Sequence, residues 1–240
     1  MQKNQTNFAA VISSYAPRGL GRAQLLSSQL KDVVDKVVIV INDDKNKTVD
    51  TWEQDRVLYI RRPNIGMNIG AWSEAIPFVL KNDVSIFLQD ECVLVDQSFV
   101  RKYKEIFLDQ RIGMVGESIN PKWCHPWSEI GRSGLNYSIS LWDGRIISRL
   151  EYYLSCMNEW GIAPSENGSH LRALIWAFSK SALGKIKRFT IGANKEQCIA
   201  AEISVSKIIN QMGMEFCQSS ALPFAYFQHT EWRSDGTSKV

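Results

Sequence analysis

Apolar residues in the first half of the chain come in blocks rather than in strict alternation. FAAVISS (8–14), KVVIVIN (36–42), RVLYI (56–60), the run opening SIFLQDE (85–91) and RIGMVGE (111–117) are short, largely β-branched or aromatic, and apolar on both faces. Runs of that length and composition predict strands buried on both sides. Between them, Pro17 and Gly19 mark a turn before a helix over about 20–30, with Leu25, Leu26 and Leu30 on one side. Further helices are predicted over about 69–80 and after Asp96, which can cap the first N–H groups. Strands alternating with helices imply a parallel sheet covered on both faces, an α/β fold that binds ligands at the carboxyl ends of its strands.

The pattern weakens over 118–170, which is broken by Pro121, Pro126, Gly131, Gly134, Gly144, Gly161, Pro164 and Gly168 and carries Trp123, Trp127, Trp142 and Trp160. It recovers in LRALIWAFSKSALGKI (171–186), a strand leading into a short helix. A second helix follows in AAEISVSKIINQMGMEF (200–216), ending at Gly213 as a left-handed helix stop should. A polar tail, 233–240, is expected to fray.

Composition narrows the setting. At 240 residues with a net charge of +3, the chain is too weakly basic to point to nucleic acid, and its aromatics are not interleaved with basic residues. Only Lys180, Lys185, Lys187 and Arg188 form a basic cluster, a solvated helix face or a weak attraction to phosphates or an anionic membrane surface. The N-terminal apolar stretch is too short for a secretory signal and no run approaches a membrane span, so a cytoplasmic chain is expected. Five widely spaced cysteines suggest neither a disulfide framework nor a zinc site.

Reading only the strand ends gives Ser13, Ser14 and Tyr15, then Asn42, Asp43 and Asp44, then Arg61 and Arg62, then Gln89, Asp90 and Glu91. Acids clustered beside arginines at a crevice suggest a divalent cation, Mn2+ or Mg2+, held together with a phosphate-bearing ligand. The ion would compensate Asp90 and Glu91, which otherwise read as a solvated turn between two strands. In RRPNIGMNIGAW (61–72), Asn64, Gly66, Asn68 and Gly70 precede a helix whose N-terminus can receive an anion.

Taken in order, VISSY, VVIVINDD, NIGMNIGA, FLQDE, WAFSKSAL and AAEISVSKIINQMG resemble the GT-A fold glycosyltransferases, nearest to the inverting family 2 type. The resemblance implies a single Rossmann-like domain with a mostly parallel sheet flanked by helices. Its nucleotide-sugar-binding half would cover about 8–117 and its acceptor-side half about 118–232. Ser14, Tyr15, Asn42 and Asp43 would line base and ribose, with Arg61 beside them, and Asn64, Gly66 and Asn68 would form the donor loop. Gln89-Asp90-Glu91 would stand at the DXD position, with Gln first and Glu last, so that Asp90 and Glu91 hold the metal and Gln89 and Asp90 face the donor. Glu202 would match the catalytic base of the xED motif, and His229 in YFQHTEW (226–232) a third metal ligand. Trp123, Trp127 and Trp142 would meet the acceptor, since sugar rings pack on indole. Each has a blander reading: a helix-terminal acid for Glu202, a strand-capping histidine for His229, and core indoles. His125 and His170 are read as local hydrogen-bonding residues.

The implied function is metal-dependent, inverting transfer of a sugar from a nucleotide-diphosphate donor to a hydroxyl acceptor, a saccharide or lipid-linked saccharide. It would belong to bacterial surface polysaccharide synthesis, in the cytoplasm or peripherally at the inner face of the membrane. The alternatives are a nucleotidyltransferase, although SSYAPRGLGRAQ (13–24) lacks the lysine of its glycine-rich signature, and a catalytically degenerate nucleotide-sugar-binding domain. A receiver-like domain would want paired acids where Ser13 and Ser14 stand.

Overall fold

The structure is a computed structural model that describes residues 6–141 and 143–232. The tail over 233–240, expected to fray, lies outside the described residues. In chain order the elements are β1 (Phe8–Tyr15), α1 (Gly21–Leu30), β2 (Lys36–Asp43), β3 (Asp50–Gln54), β4 (Val57–Pro63), α2 (Met67–Val79), β5 (Val84–Gln89), β6 (Cys92–Leu94), α3 (Phe99–Ile106) and β7 (Ile112–Gly116). They continue with α4 (Trp127–Arg132), β8 (Ser138–Ser140), β9 (Ile146–Ser148), α5 (Arg149–Glu159), β10 (Ile175–Ser179), α6 (Lys180–Ile186), α7 (Lys195–Gln211), β11 (Glu215–Gln218) and β12 (Phe227–His229).

Among the described residues the main sheet has eight strands in the order β11-β7-β10-β5-β1-β2-β4-β3. Strands β1, β2, β4 and β5 are mutually parallel, as are β7 and β11, while β10 runs antiparallel between β5 and β7 and β3 antiparallel at one edge. This is the α/β, Rossmann-like class expected from the sequence, a mostly parallel sheet with helices on both faces. Alternate residues of each central strand serve opposite faces. Val11, Val38 and Val40 pack with Trp72, Ile76 and Val79 of α2 and with Val205 and Ile209 of α7. Ile12 and Ile39 pack with Leu26 and Leu30 of α1 and with Phe99 and Tyr103 of α3.

The irregular stretch 118–170 is less irregular than its prolines and glycines suggest. Helices α4 and α5 bury Trp123, Ile130, Leu150, Tyr153 and Met157 against Ala200 and Ile203, which lie on the side of α7 turned from the sheet. Helix α7 is thus packed on two sides and begins earlier than expected. Asn194 caps it by accepting from Gln197 N–H at 2.9 Å, and the Gln197 side chain accepts from Ala193 N–H at 2.8 Å. The expectation that Glu202 lies near a helix start is therefore corrected: it stands about two turns in, beyond the reach of the N-terminal dipole. Among the described residues no helix is long and apolar enough to cross a membrane.

Candidate active site

Parallel register carries the predicted polar residues to one edge of the sheet. Tyr15 lies opposite Asn42, Asn42 opposite Arg62, and Ser13 opposite Gln89. Side chains tie this row together. Ser13 Oγ donates to Asn68 Oδ1 at 2.9 Å, Asn42 Nδ2 donates to the Met67 carbonyl at 3.1 Å, and Arg62 Nη1 donates to Asn42 Oδ1 at 2.7 Å. The start of α2 is thereby held over the ends of β1 and β2. Arg61 donates through Nε and Nη2 to Asp43 Oδ2 at 2.9 and 2.8 Å, and Asn64 Nδ2 donates to Asp44 Oδ1 at 2.9 Å. Tyr15 donates its hydroxyl to the other Asp44 oxygen, which holds the Asp44 carboxyl below its ordinary value.

The glycines of the 64–70 loop serve the protein's own packing. A Cβ on Gly70 would fall 1.9 Å from the Ile65 carbonyl oxygen, and one on Gly66, at φ +76°, 2.1 Å from Ile191 Cγ2. Close approach is needed, as expected, but to other parts of the chain.

Asp90 and Glu91 are both buried, at 6% and 7% exposure. Ser14 Oγ donates to Asp90 Oδ2 at 2.6 Å, and Arg18 pairs with Glu91 Oε1. Burial, with Glu91 alongside, pushes the Asp90 carboxyl up to about 6. Burial works the same way on Glu91, but the hydrogen bond from Asp90 and the charge of Arg18 outweigh it and hold that carboxyl below its ordinary value. Two buried carboxylates crowded side by side are a hard oxygen donor set whose mutual repulsion Mg2+ or Mn2+ would relieve, so Asp90 and Glu91 fit a divalent ion. His229 does not add to the set as it stands. Glu231 N–H donates to its Nδ1 at 3.2 Å, so Nε2 carries the ring proton and donates to Gln89 Oε1 at 3.1 Å. Among the described residues no group of three or more His, Cys, Asp or Glu side chains is placed to hold a metal.

Gln89 links this end to Glu202. Its Nε2 donates to the Ala173 carbonyl at 2.6 Å, while Ala173 N–H donates to Glu202 Oε1 at 3.0 Å. Burial raises the Glu202 carboxyl to about 7 against the pull of Ala173 N–H, Arg172 and Arg149, and 22% of the side chain stays open. The site residues absent from the sequence reading are Arg18, Arg149, Arg172 and His170 as Glu202's neighbour. No periodicity marks them, because each reaches the site from a turn, a loop or a helix start distant in sequence from Glu202 or Glu91.

The tryptophans divide. Trp123 is 4% exposed, with its indole against Trp127, Tyr153, His170 and the Arg149 guanidinium, so it stands in the core of this segment rather than on an open face. Trp127 is half-buried and donates Nε1–H to the Pro164 and Ser165 carbonyls at 3.2 and 3.0 Å. Trp142 lies outside the described residues.

No protein-family model and no curated protein matches the chain. Among solved structures it is similar to a mannosyltransferase from Pyrobaculum calidifontis in complex with GDP-Man and Mn2+, at 10% identity and a TM-score of 0.45, covering 89% of this chain and 55% of that one. The chain thus spans little more than half of that protein. It is also similar to glucosyl-3-phosphoglycerate synthase from Mycobacterium tuberculosis in complex with Mn2+, UDP and glucosyl-3-phosphoglycerate, at 13% identity and a TM-score of 0.49, covering 96% and 74%. A third is a CMP:2-keto-3-deoxy-manno-octonic acid synthetase complexed with CTP, at 12% identity and a TM-score of 0.46, covering 89% and 90%.

Proposed function

We propose that the chain is a glycosyltransferase that moves a sugar from a nucleotide-diphosphate donor to a hydroxyl of a saccharide or lipid-linked saccharide, with inversion at the anomeric carbon. One observation carries the reading. A single residue, Ala173, binds Glu202 through its N–H and, through its carbonyl and Gln89, the strand end that bears Asp90 and Glu91. A group able to accept a proton and a group suited to the partner of a diphosphate are thus held in fixed relation through one residue.

In this reading residues 8–117 bind the donor. Tyr15, Asn42 and Asp43 flank the nucleoside, and the N-terminus of α2, steadied by Ser13 on Asn68 and Asn42 on Met67 and without a side-chain cap at Gly66, faces the phosphates. Asp90 and Glu91 would hold a divalent cation, which when bound offsets the charge of the departing diphosphate. Arg18 already lies beside Glu91 and can turn its guanidinium to a phosphate oxygen. Glu202 takes the proton of the acceptor hydroxyl as it attacks, and a carboxyl titrating near 7 is well matched to that task. Residues 118–232 supply the acceptor side, with the open part of Trp127 and Trp142 as candidate contacts. The exposed Lys180, Lys185, Lys187 and Arg188 are proposed to favour an anionic membrane surface, in keeping with a role in surface polysaccharide synthesis.

The test is a thermal-shift panel of UDP, GDP, CDP and dTDP with Mn2+ or EDTA, followed by turnover of the sugar nucleotide whose base binds. One diphosphate should raise Tm in Mn2+, and Glu91→Ala should abolish that rise with the fold intact. No shift with any of the four would sink the donor site. Binding without transfer or hydrolysis would leave a degenerate binding domain.

A further inference from the structure

His170 is buried, at 2% exposure, in the loop ahead of β10, with its ring edge-on to Trp123. Its Nδ1 lies 2.7 Å from the Gly168 carbonyl oxygen. A carbonyl only accepts, so Nδ1 carries the ring proton, and in the neutral ring Nε2 then presents a lone pair. That nitrogen stands 3.7 Å from Glu202 Oε1. Two lone pairs turned towards each other in a buried place repel unless a proton lies between them, and the Glu202 carboxyl can supply one. At 3.7 Å the contact is longer than a hydrogen bond, and closing it requires the carboxyl to turn while Ala173 N–H stays bonded to Oε1 at 3.0 Å.

The charges facing the pair settle which partner is protonated. Arg172, from the same loop, and Lys207, five residues beyond Glu202 on α7, both oppose a cationic ring. Lys207 is fixed there by Nζ, which donates to the Asn167 and Ser169 carbonyls at 2.8 and 2.9 Å. Burial, with these two cations, pushes His170 down to about 4. Arg172 and, from α5, Arg149 pull Glu202 towards ionisation but do not overcome its own burial.

We propose that His170 is a positioning residue for Glu202: its Nε2 accepts a hydrogen bond from the protonated carboxyl, so that the acid is held neutral and oriented in the resting site, and Glu202 gives that proton up to solvent before it acts as a base. The proposal rests on the reading of Glu202 as the base. It gives a ring that never becomes cationic at neutral pH a defined task, and it makes the loop at 167–173 part of the site.

The experiment is 15N NMR of the histidine side chains of the whole protein between pH 5.5 and 8.5, for wild type, Glu202→Gln and His170→Phe, the last assigning the His170 signals. The expected wild-type result is a proton on Nδ1 throughout, with an unprotonated Nε2 whose shift moves, with a midpoint near 7, from hydrogen-bonded to free as Glu202 ionises. In Glu202→Gln, whose amide N–H can replace the carboxyl proton, that movement should vanish and the hydrogen-bonded shift persist. A proton on Nε2, an imidazolium forming in this range, or the same pH response with and without the Glu202 carboxyl would each overturn the inference. Turnover of Glu202→Gln tests the base reading alone, so the two can fail separately.

Discussion

Burial raises the Glu202 carboxyl from 4.5 to about 7, and the shift has a counterpart in stability. Below 4.5 the acid is neutral in folded and unfolded chains alike. Between 4.5 and about 7 the unfolded chain ionises it while the folded protein keeps it neutral, so the stability present at low pH falls as pH rises and the loss is complete once pH has passed 7. At about 1.4 kcal/mol per pH unit the cost approaches roughly 3 kcal/mol at pH 8. Glu202→Gln, neutral at every pH, should therefore gain on wild type between pH 5 and pH 8 by up to that amount in urea unfolding, while donor affinity holds and turnover falls by about 10² or more. A constant stability difference across that range would mean that Glu202 is ionised throughout. At this scale the sequence displayed the strand-end acids, because an apolar run cut by Gln89-Asp90-Glu91 is visible as text. The partners of those acids were not visible: Arg18 lies 73 positions from Glu91, and only the sheet register brings them together.

Helix α2 and the loop before it separate two uses of glycine. Because a Cβ at position 70 would meet the Ile65 carbonyl at 1.9 Å, backbone that cannot step aside cheaply, Gly70→Ala should cost ~2 kcal/mol or more. Melting should fall by roughly 4–8 °C. An unchanged Tm with lost nucleoside-diphosphate binding would return the glycine to the ligand. Helix α7 offers a milder test. Asn194→Ala removes the acceptor for Gln197 N–H and should cost about 1 kcal/mol, since nothing else in the first turn replaces it. A stability within error of wild type would show that tertiary packing alone sets where α7 begins. The sequence reading starts this helix only at Ala200, where the apolar period becomes clear, whereas the Asn194 cap starts it at Lys195.

Across the whole molecule, the chain beyond residue 118 completes the sheet begun before it, with β10 between β5 and β7 and β11 at the edge. Its last segment is tied down by one carboxylate. Glu117, 1% exposed, accepts from the Tyr103 and Ser219 hydroxyls, each at 2.6 Å, and from Tyr226 N–H at 2.9 Å. Glu117→Ala would leave those donors buried without an acceptor, at a cost of about 3 kcal/mol or more, and should open the 219–232 segment to limited proteolysis while β1 to β5 stay protected. Cleavage no faster than in wild type would mean that the aromatic contacts of Tyr226 and Phe227 hold the segment by themselves. The sequence alone determined the α/β class, the central strands and the row of polar strand ends, because a strand buried on both faces must be a continuous apolar run and its polar exit stands out against it. The tertiary structure decided the antiparallel insertion of β10, the core of α4 and α5 on α7, and the company Glu202 keeps. Those depend on which distant segments meet, and a short apolar run carries no mark of its partner or its direction.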